Sequence, residues 1–101
     1  MQQINLKRFG KILVSRPAGL EAFNALRSSL VIDQPVQIDF EGVLTVTPSW
    51  FDEFLTNLAD YVHASIELRP TTNASVQATL PVLAEARDDR VAEIIRASLS
   101  T

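Results

Sequence analysis

The chain has no cysteine, one histidine, three glycines and no apolar run near the ~20 residues a membrane-spanning helix needs. The missing cysteines exclude a disulfide framework, a thiolate metal site and a cysteine nucleophile, and they fit a reducing compartment. Three glycines are too few to build a glycine-rich phosphate loop. His63 has no second histidine or any cysteine with which to form a zinc set, and it reads as a helix-end residue. Basic charge is also short: nine Lys and Arg stand against twelve Asp and Glu, and the pI is near 5.0. The chain therefore lacks the basic footprint of a nucleic-acid binder. Lys7, Arg8 and Lys11 interrupt the apolar positions of the first sixteen residues, which do not read as a signal peptide. These absences set the expectation of a cytoplasmic protein, without membrane insertion and without nucleic acid as a partner.

What remains is ordinary globular material. At 101 residues, residues 1–101 should form a single domain around one core. The most informative stretch is Val36 to Val62. Val36, Ile38 and Phe40 alternate with Gln37 and Asp39, the period of a half-buried strand. Glu41-Gly42 turns the chain, Val43, Leu44 and Val46 form a second short apolar run, and Pro48 stops it. From Ser49 the period becomes helical, with Phe51, Phe54, Leu55, Leu58 and Val62 in one stripe. Trp50 and Tyr61 fall on its shoulders, positions that leave a ring half covered, while Asp52, Glu53, Thr56 and Asp60 face water. Two capping registers are open. In one, Ser49 is the N-cap and Asp52 reaches back to it; in the other, Thr47 is the cap and Pro48 opens the helix.

Upstream, Ile4, Leu6 and Arg8 share a face of a first strand, Gly10 turns the chain, and residues 11–15 read as a second strand, so the opening has the pattern of a hairpin. Pro17 suits the first turn of a helix whose apolar positions are Leu20, Phe23, Leu26 and Leu30, with Arg27 among them. Gly19 should weaken that helix by about 1 kcal/mol relative to alanine. Downstream, Ile66 and Leu68 alternate with Glu67 and Arg69 in a strand ended by Pro70, followed by a polar loop with capping character at Thr71, Thr72 and Asn73. A short helix is expected around Ser75 to Leu80, a turn or kink at Pro81, and a last helix with Val91, Ile94, Ile95 and Leu99 on its face, making a C-terminal helical extension of about residues 75–100. Arg87-Asp88-Asp89-Arg90 reads as an exposed turn. The alternation of strands and helices favours an α/β fold with parallel neighbours.

No constellation of acid, base and stabilising groups emerges from Asp39, Glu53 or His63, so no catalytic residue, metal or cofactor is assigned and an enzyme is not expected.

Residues 36–58 resemble the central motif of the STAS-like family, small domains related to bacterial anti-sigma factor antagonists. The match is closer to an uncharacterised branch with Asp-Phe ending a strand, then Gly-Val, an apolar run and a Ser-aromatic-x-Asp-Glu helix start. Here these are Asp39-Phe40, Gly42-Val43, Leu44 to Thr47, and Ser49, Trp50, Phe51, Asp52 and Glu53. Ser15-Arg16, the Glu67-Leu68 strand and Asn73 also resemble the branch. Phe51 departs from it, since a small residue usually follows the aromatic.

The resemblance implies a small mixed sheet of about four strands with helices packed on it, in the order β-β-α-β-α-β-α(α). It also implies a non-enzymatic partner-switching module controlled by phosphorylation at Ser49, with Thr47 as the alternate, and a contact surface of Thr47, Pro48, Ser49, Trp50, Asp52 and Glu53. Its implied partner is an ATPase-fold, histidine-kinase-like serine kinase or an anti-sigma factor. The alternatives are a structural or regulatory subunit, such as a homo-oligomer, assembling through the C-terminal helix or a sheet edge, and a small-ligand sensor.

Overall fold

Two parallel ladders organise the chain. In the computed structural model, which describes residues 1–99, β1 (Gln2–Asn5), β3 (Val36–Asp39) and β5 (Ile66–Leu68) form one sheet with β3 central. β2 (Ile12–Leu13) and β4 (Thr45–Val46) form a second, two-stranded sheet. Four helices complete the fold: α1 (Arg16–Leu26), α2 (Pro48–Val62), α3 (Ala74–Ala86) and α4 (Arg90–Leu99). The protein is thus an α/β domain of four helices and small parallel sheets. All three strand pairings are parallel, so the expected mixed sheet of about four strands is instead five strands in two parallel sheets.

The expected opening hairpin does not form. β1 ends at Asn5, and Leu6–Phe9 make a turn of 3-10 helix that carries β2 away from β1. Phe9 explains the break. Its ring packs against Trp50 and Phe54, with centroids 6.3 and 5.8 Å away, and a continued strand would not deliver it there. β2 then pairs with β4, which takes Leu13 and Val46 into the core side by side.

The larger sheet buries Ile4, Val36, Ile38, Ile66 and Leu68, as the alternation of β3 predicts. Its other face carries Gln3, Gln37 and Glu67 in register, with Asn5 beside Asp39. α2 runs through the centre of the core. Phe51, Phe54, Leu55, Leu58 and Val62 are all fully buried, and Phe51 meets Phe40 at 5.5 Å. α1 packs along α2, and α3 packs on α4, which also covers β5.

Three expected helix features change. The buried positions of α1 are Gly19, Ala22, Phe23 and Leu26, while Leu20 is exposed. Pro81 does not end a helix; α3 continues through it to Ala86. Proline in a helix interior costs about 3 kcal/mol, and here that cost is offset by the burial of Val76, Thr79, Leu80, Leu83 and Ala84 on both sides of it. Residues 74–99 are not an extension either, because Val91, Ala92, Ile94 and Ile95 are buried within the chain's own core. Those residues are unavailable as a subunit interface, while Leu99, the fourth position of the expected face, is exposed. Residue 100 of the expected extension lies outside the described residues.

Candidate functional site

The N-termini of α1 and α2 follow the neighbouring strands β2 and β4, and the backbone amide of Thr47 donates to Leu13 O at 3.0 Å. Ser15 caps α1, its Oγ accepting from the Ala18 amide at 3.3 Å. It does so at φ 76° and ψ 146°, a conformation that glycine occupies far more readily than serine. Thr47 is the N-cap of α2 and Pro48 its first residue, which selects the second of the two capping registers. Ser49 therefore lies inside the first turn and is not the cap. It is half-buried, with its Oγ 3.4 Å from Thr47 Oγ1.

Ser49, Asp52, Glu53 and Thr56 share one face of α2 by their spacing of three and four. Two arginines lie on that face. Arg16 donates from Nη1 to Asp52 Oδ2 at 2.9 Å and to Glu53 Oε2 at 3.0 Å. Those hydrogen bonds hold its guanidinium pKa above the ordinary value. Arg87 bonds the other Asp52 oxygen, Thr56 Oγ1 at 2.7 Å and the Asp89 carboxylate. Its pKa is likewise raised, chiefly by Asp89. The pair Asp52 and Glu53 does not simply face water, as the sequence suggests, and the run 87–90 is not a free turn. Arg87 ties the α3–α4 junction to α2, and Arg90 donates to Ala59 O at 3.0 Å and to Ala64 O.

Trp50 is the clearest correction. It is 1% exposed and stacks on Phe54 at 5.0 Å, so its ring belongs to the core and cannot anchor a partner. One turn of α2 separates the two rings, which lets both pack beneath Phe9. Pro48, by contrast, is exposed and Thr47 is half-buried. His63 is the C-cap of α2 in the left-handed conformation, φ 54°, as its helix-end reading requires.

A second cluster was not anticipated from the sequence. Asn73 Oδ1 accepts from the Ser75 and Val76 amides at 2.9 and 3.1 Å and from Ser75 Oγ, while its Nδ2 donates to Val43 O at 2.6 Å and Leu44 O at 3.2 Å. Ser75 Oγ also accepts from the Val46 amide at 3.1 Å, and Thr79 Oγ1 donates to Val46 O at 3.1 Å. The outer edge of β4 is thereby closed by α3. The polar capping signal at Asn73 was legible, but its grip on residues 43–46, about thirty positions away, was not.

At the carboxyl ends of β3 and β5 a cleft of about 540 Å³ opens between residues 39–43 and 69–73. Asp39 there accepts from the Glu41 amide at 3.0 Å and stands 3.9 Å from Arg69. Asp39 and Glu53 keep separate partners, so they form no carboxylate pair. Among the described residues no group of three or more His, Cys, Asp or Glu could hold a metal, and no helix is long and apolar enough to cross a membrane.

Fold and site thus define an α/β domain in which two helix N-termini and an arginine-bridged carboxylate face meet beside a small parallel sheet. The chain matches no family model, no curated protein and no solved structure.

Proposed function

We propose that this protein is a non-enzymatic, STAS-like interaction module of the bacterial partner-switching type, controlled by phosphorylation of Ser49. The observation that carries this reading is the position of Ser49. Its hydroxyl is half-buried in the first turn of α2, where a negative group meets unpaired backbone N–H groups and the positive end of the helix dipole. A phosphate there adds about −1.5 to −2 charges. It would stand one turn before Asp52 and Glu53, the two carboxylates that hold Arg16. With its side chain 51% exposed, Arg16 is free to leave them for the phosphate. The charge and the arginine therefore change together at the surface formed by the exposed Pro48 and the half-buried Thr47, Asp52 and Glu53, and an ATPase-fold serine kinase or anti-sigma factor docked there is released.

The test takes purified ATPase-fold serine kinases and first measures whether any forms a complex with the domain; none binding would count against the proposal. Incubation with ATP and intact-mass measurement should add one phosphate to the wild type and none to Ser49→Ala, with loss of the complex only in the modified form. Equal phosphate on Ser49→Ala, or a complex indifferent to the phosphate, would sink the proposal.

The cleft between Asp39 and Arg69 favours a second reading, as a small-ligand sensor, because parallel α/β sheets bind ligands beyond the carboxyl ends of their strands. Thermal shift against a set of nucleotides and amino acids, with Arg69→Ala as the control, separates the two. A shift that Arg69→Ala leaves unchanged counts against the cleft.

A further inference from the structure

β2 is the open edge of its two-stranded sheet. Lys11 O accepts from the Thr45 amide at 3.1 Å and Leu13 O from the Thr47 amide at 3.0 Å, so these residues face β4. Backbone direction alternates along a strand, and the N–H and C=O of Ile12 therefore point to the open side, where no further strand lies among the described residues. The other side of β4 is closed by Ser75 and Thr79, which leaves β2 as the edge of this sheet that can accept a strand.

The side chains on this edge are unlike those of a protected one. Leu13 points inward at 2% exposure, whereas its neighbours Ile12 and Val14 are 64% and 43% exposed. Leu44, beside β2 through the bond from its amide to Lys11 O at 2.8 Å, is 64% exposed. Charge is distributed just as unevenly. Residues 7–16 hold four of the nine Lys and Arg and no acid, leaving five bases among all twelve Asp and Glu elsewhere. Lys7, Arg8 and Lys11 make no ion pair among the described residues.

We infer that the edge of β2 is a docking strand for an extended acidic segment of another protein, added to the sheet by backbone pairing. Ile12 supplies the outward N–H and C=O; the exposed Ile12 and Val14 meet alternate apolar side chains of the guest; and Lys11 on the strand, with Arg8 just before it in the sequence, attracts its carboxylates. A second copy of this chain is the wrong occupant, because pairing β2 with itself would line up two basic segments along one ladder. The inference does not depend on whether Ser49 is modified. The docked segment would nevertheless lie beside the start of α2, since Val14 follows Leu13 and Thr47 follows Val46 in the β2–β4 register.

The test is selection of a displayed random 12-residue peptide library on the full chain, followed by binding measurements on the enriched peptides. Ile12→Pro removes the outward-facing amide, which an edge strand tolerates, together with the Ile12 side chain, whose own share Ile12→Ala measures; the melting transition of each variant shows whether the fold is kept. Lys11→Glu with Arg8→Glu reverses the charge and leaves the backbone amide in place. The expected result is enrichment of peptides that alternate apolar residues with Asp or Glu. Their affinity should fall at least tenfold in Ile12→Pro and in the charge-reversed variant, and fall with added salt. No enriched peptide, enrichment of basic peptides, or equal binding to folded Ile12→Pro and to the charge-reversed variant would each overturn the assignment.

Discussion

Gly19 of α1 lies directly against the backbone of Trp50 in α2: a Cβ at Gly19 would stand 2.4 Å from the Trp50 carbonyl oxygen. The two helices approach this closely because α1 presents no side chain at the crossing. Intrinsic propensity favours Gly19→Ala by about 1 kcal/mol, but a clash with rigid backbone has to be relieved by moving a helix, at about 1–3 kcal/mol or more. Packing wins. Gly19→Ala is expected to lower stability by about 1–2 kcal/mol in urea unfolding; an increase would show that α1 and α2 are not held at this distance.

Asn73 joins helix start to sheet edge with one side chain, so its two functions can be separated. Asn73→Asp keeps the acceptor for the Ser75 and Val76 amides but loses the donor to Val43 O and Leu44 O, whereas Asn73→Ala loses both. Loss of a helix cap costs about 0.5–2 kcal/mol and each lost buried hydrogen bond about 1 kcal/mol. Denaturant melts should rank the wild type above Asp and Asp above Ala, with Ala lower than the wild type by about 2–3 kcal/mol. An Asp variant no more stable than Ala would remove the capping role.

Asp89 gives a pH signature. Hydrogen bonds from Arg87 hold its carboxyl below the usual carboxylate range, outweighing the opposing effect of desolvation, and the Ala92 amide adds to the lowering. A pKa depressed in the folded state contributes stability above the unfolded value, near 3.9, and loses it as pH falls through the folded one. The wild type should therefore be more stable than Asp89→Asn at pH 7, with the gap closing below about pH 4. Urea midpoints of both proteins across pH 2–7 check this; a gap independent of pH would mean that the Arg87 contact does not act through charge.

Ser49 is expected to be nearly silent in stability. Thr47 occupies the capping position, and among the described residues the Ser49 hydroxyl has a single hydrogen-bond partner, Thr47 Oγ1 at 3.4 Å. Ser49→Ala should change unfolding free energy by no more than about 0.5 kcal/mol. A larger loss would make the residue structural and would confound any effect of Ser49→Ala on partner binding.

The local elements were written in the order of residues. Alternation fixed which side of β3 is buried, the three-and-four spacing fixed the core face of α2, and Pro17 and the polar loop 71–73 marked helix starts, because each of these depends on neighbours within a turn or a pleat. Tertiary structure decided what depends on distant partners. It paired β2 with β4 and not with β1, because Phe9 has to reach Trp50 and Phe54. It carried α3 through Pro81, because burial on both sides outweighs one lost hydrogen bond. It placed Trp50 inside, Arg16 and Arg87 on Asp52, and Gly19 against a carbonyl, since the stripe of a helix shows that a face is covered and not by what. Sequence spacing carries the periods of single elements; the pairing of faces between elements is settled only when their shapes and charges meet.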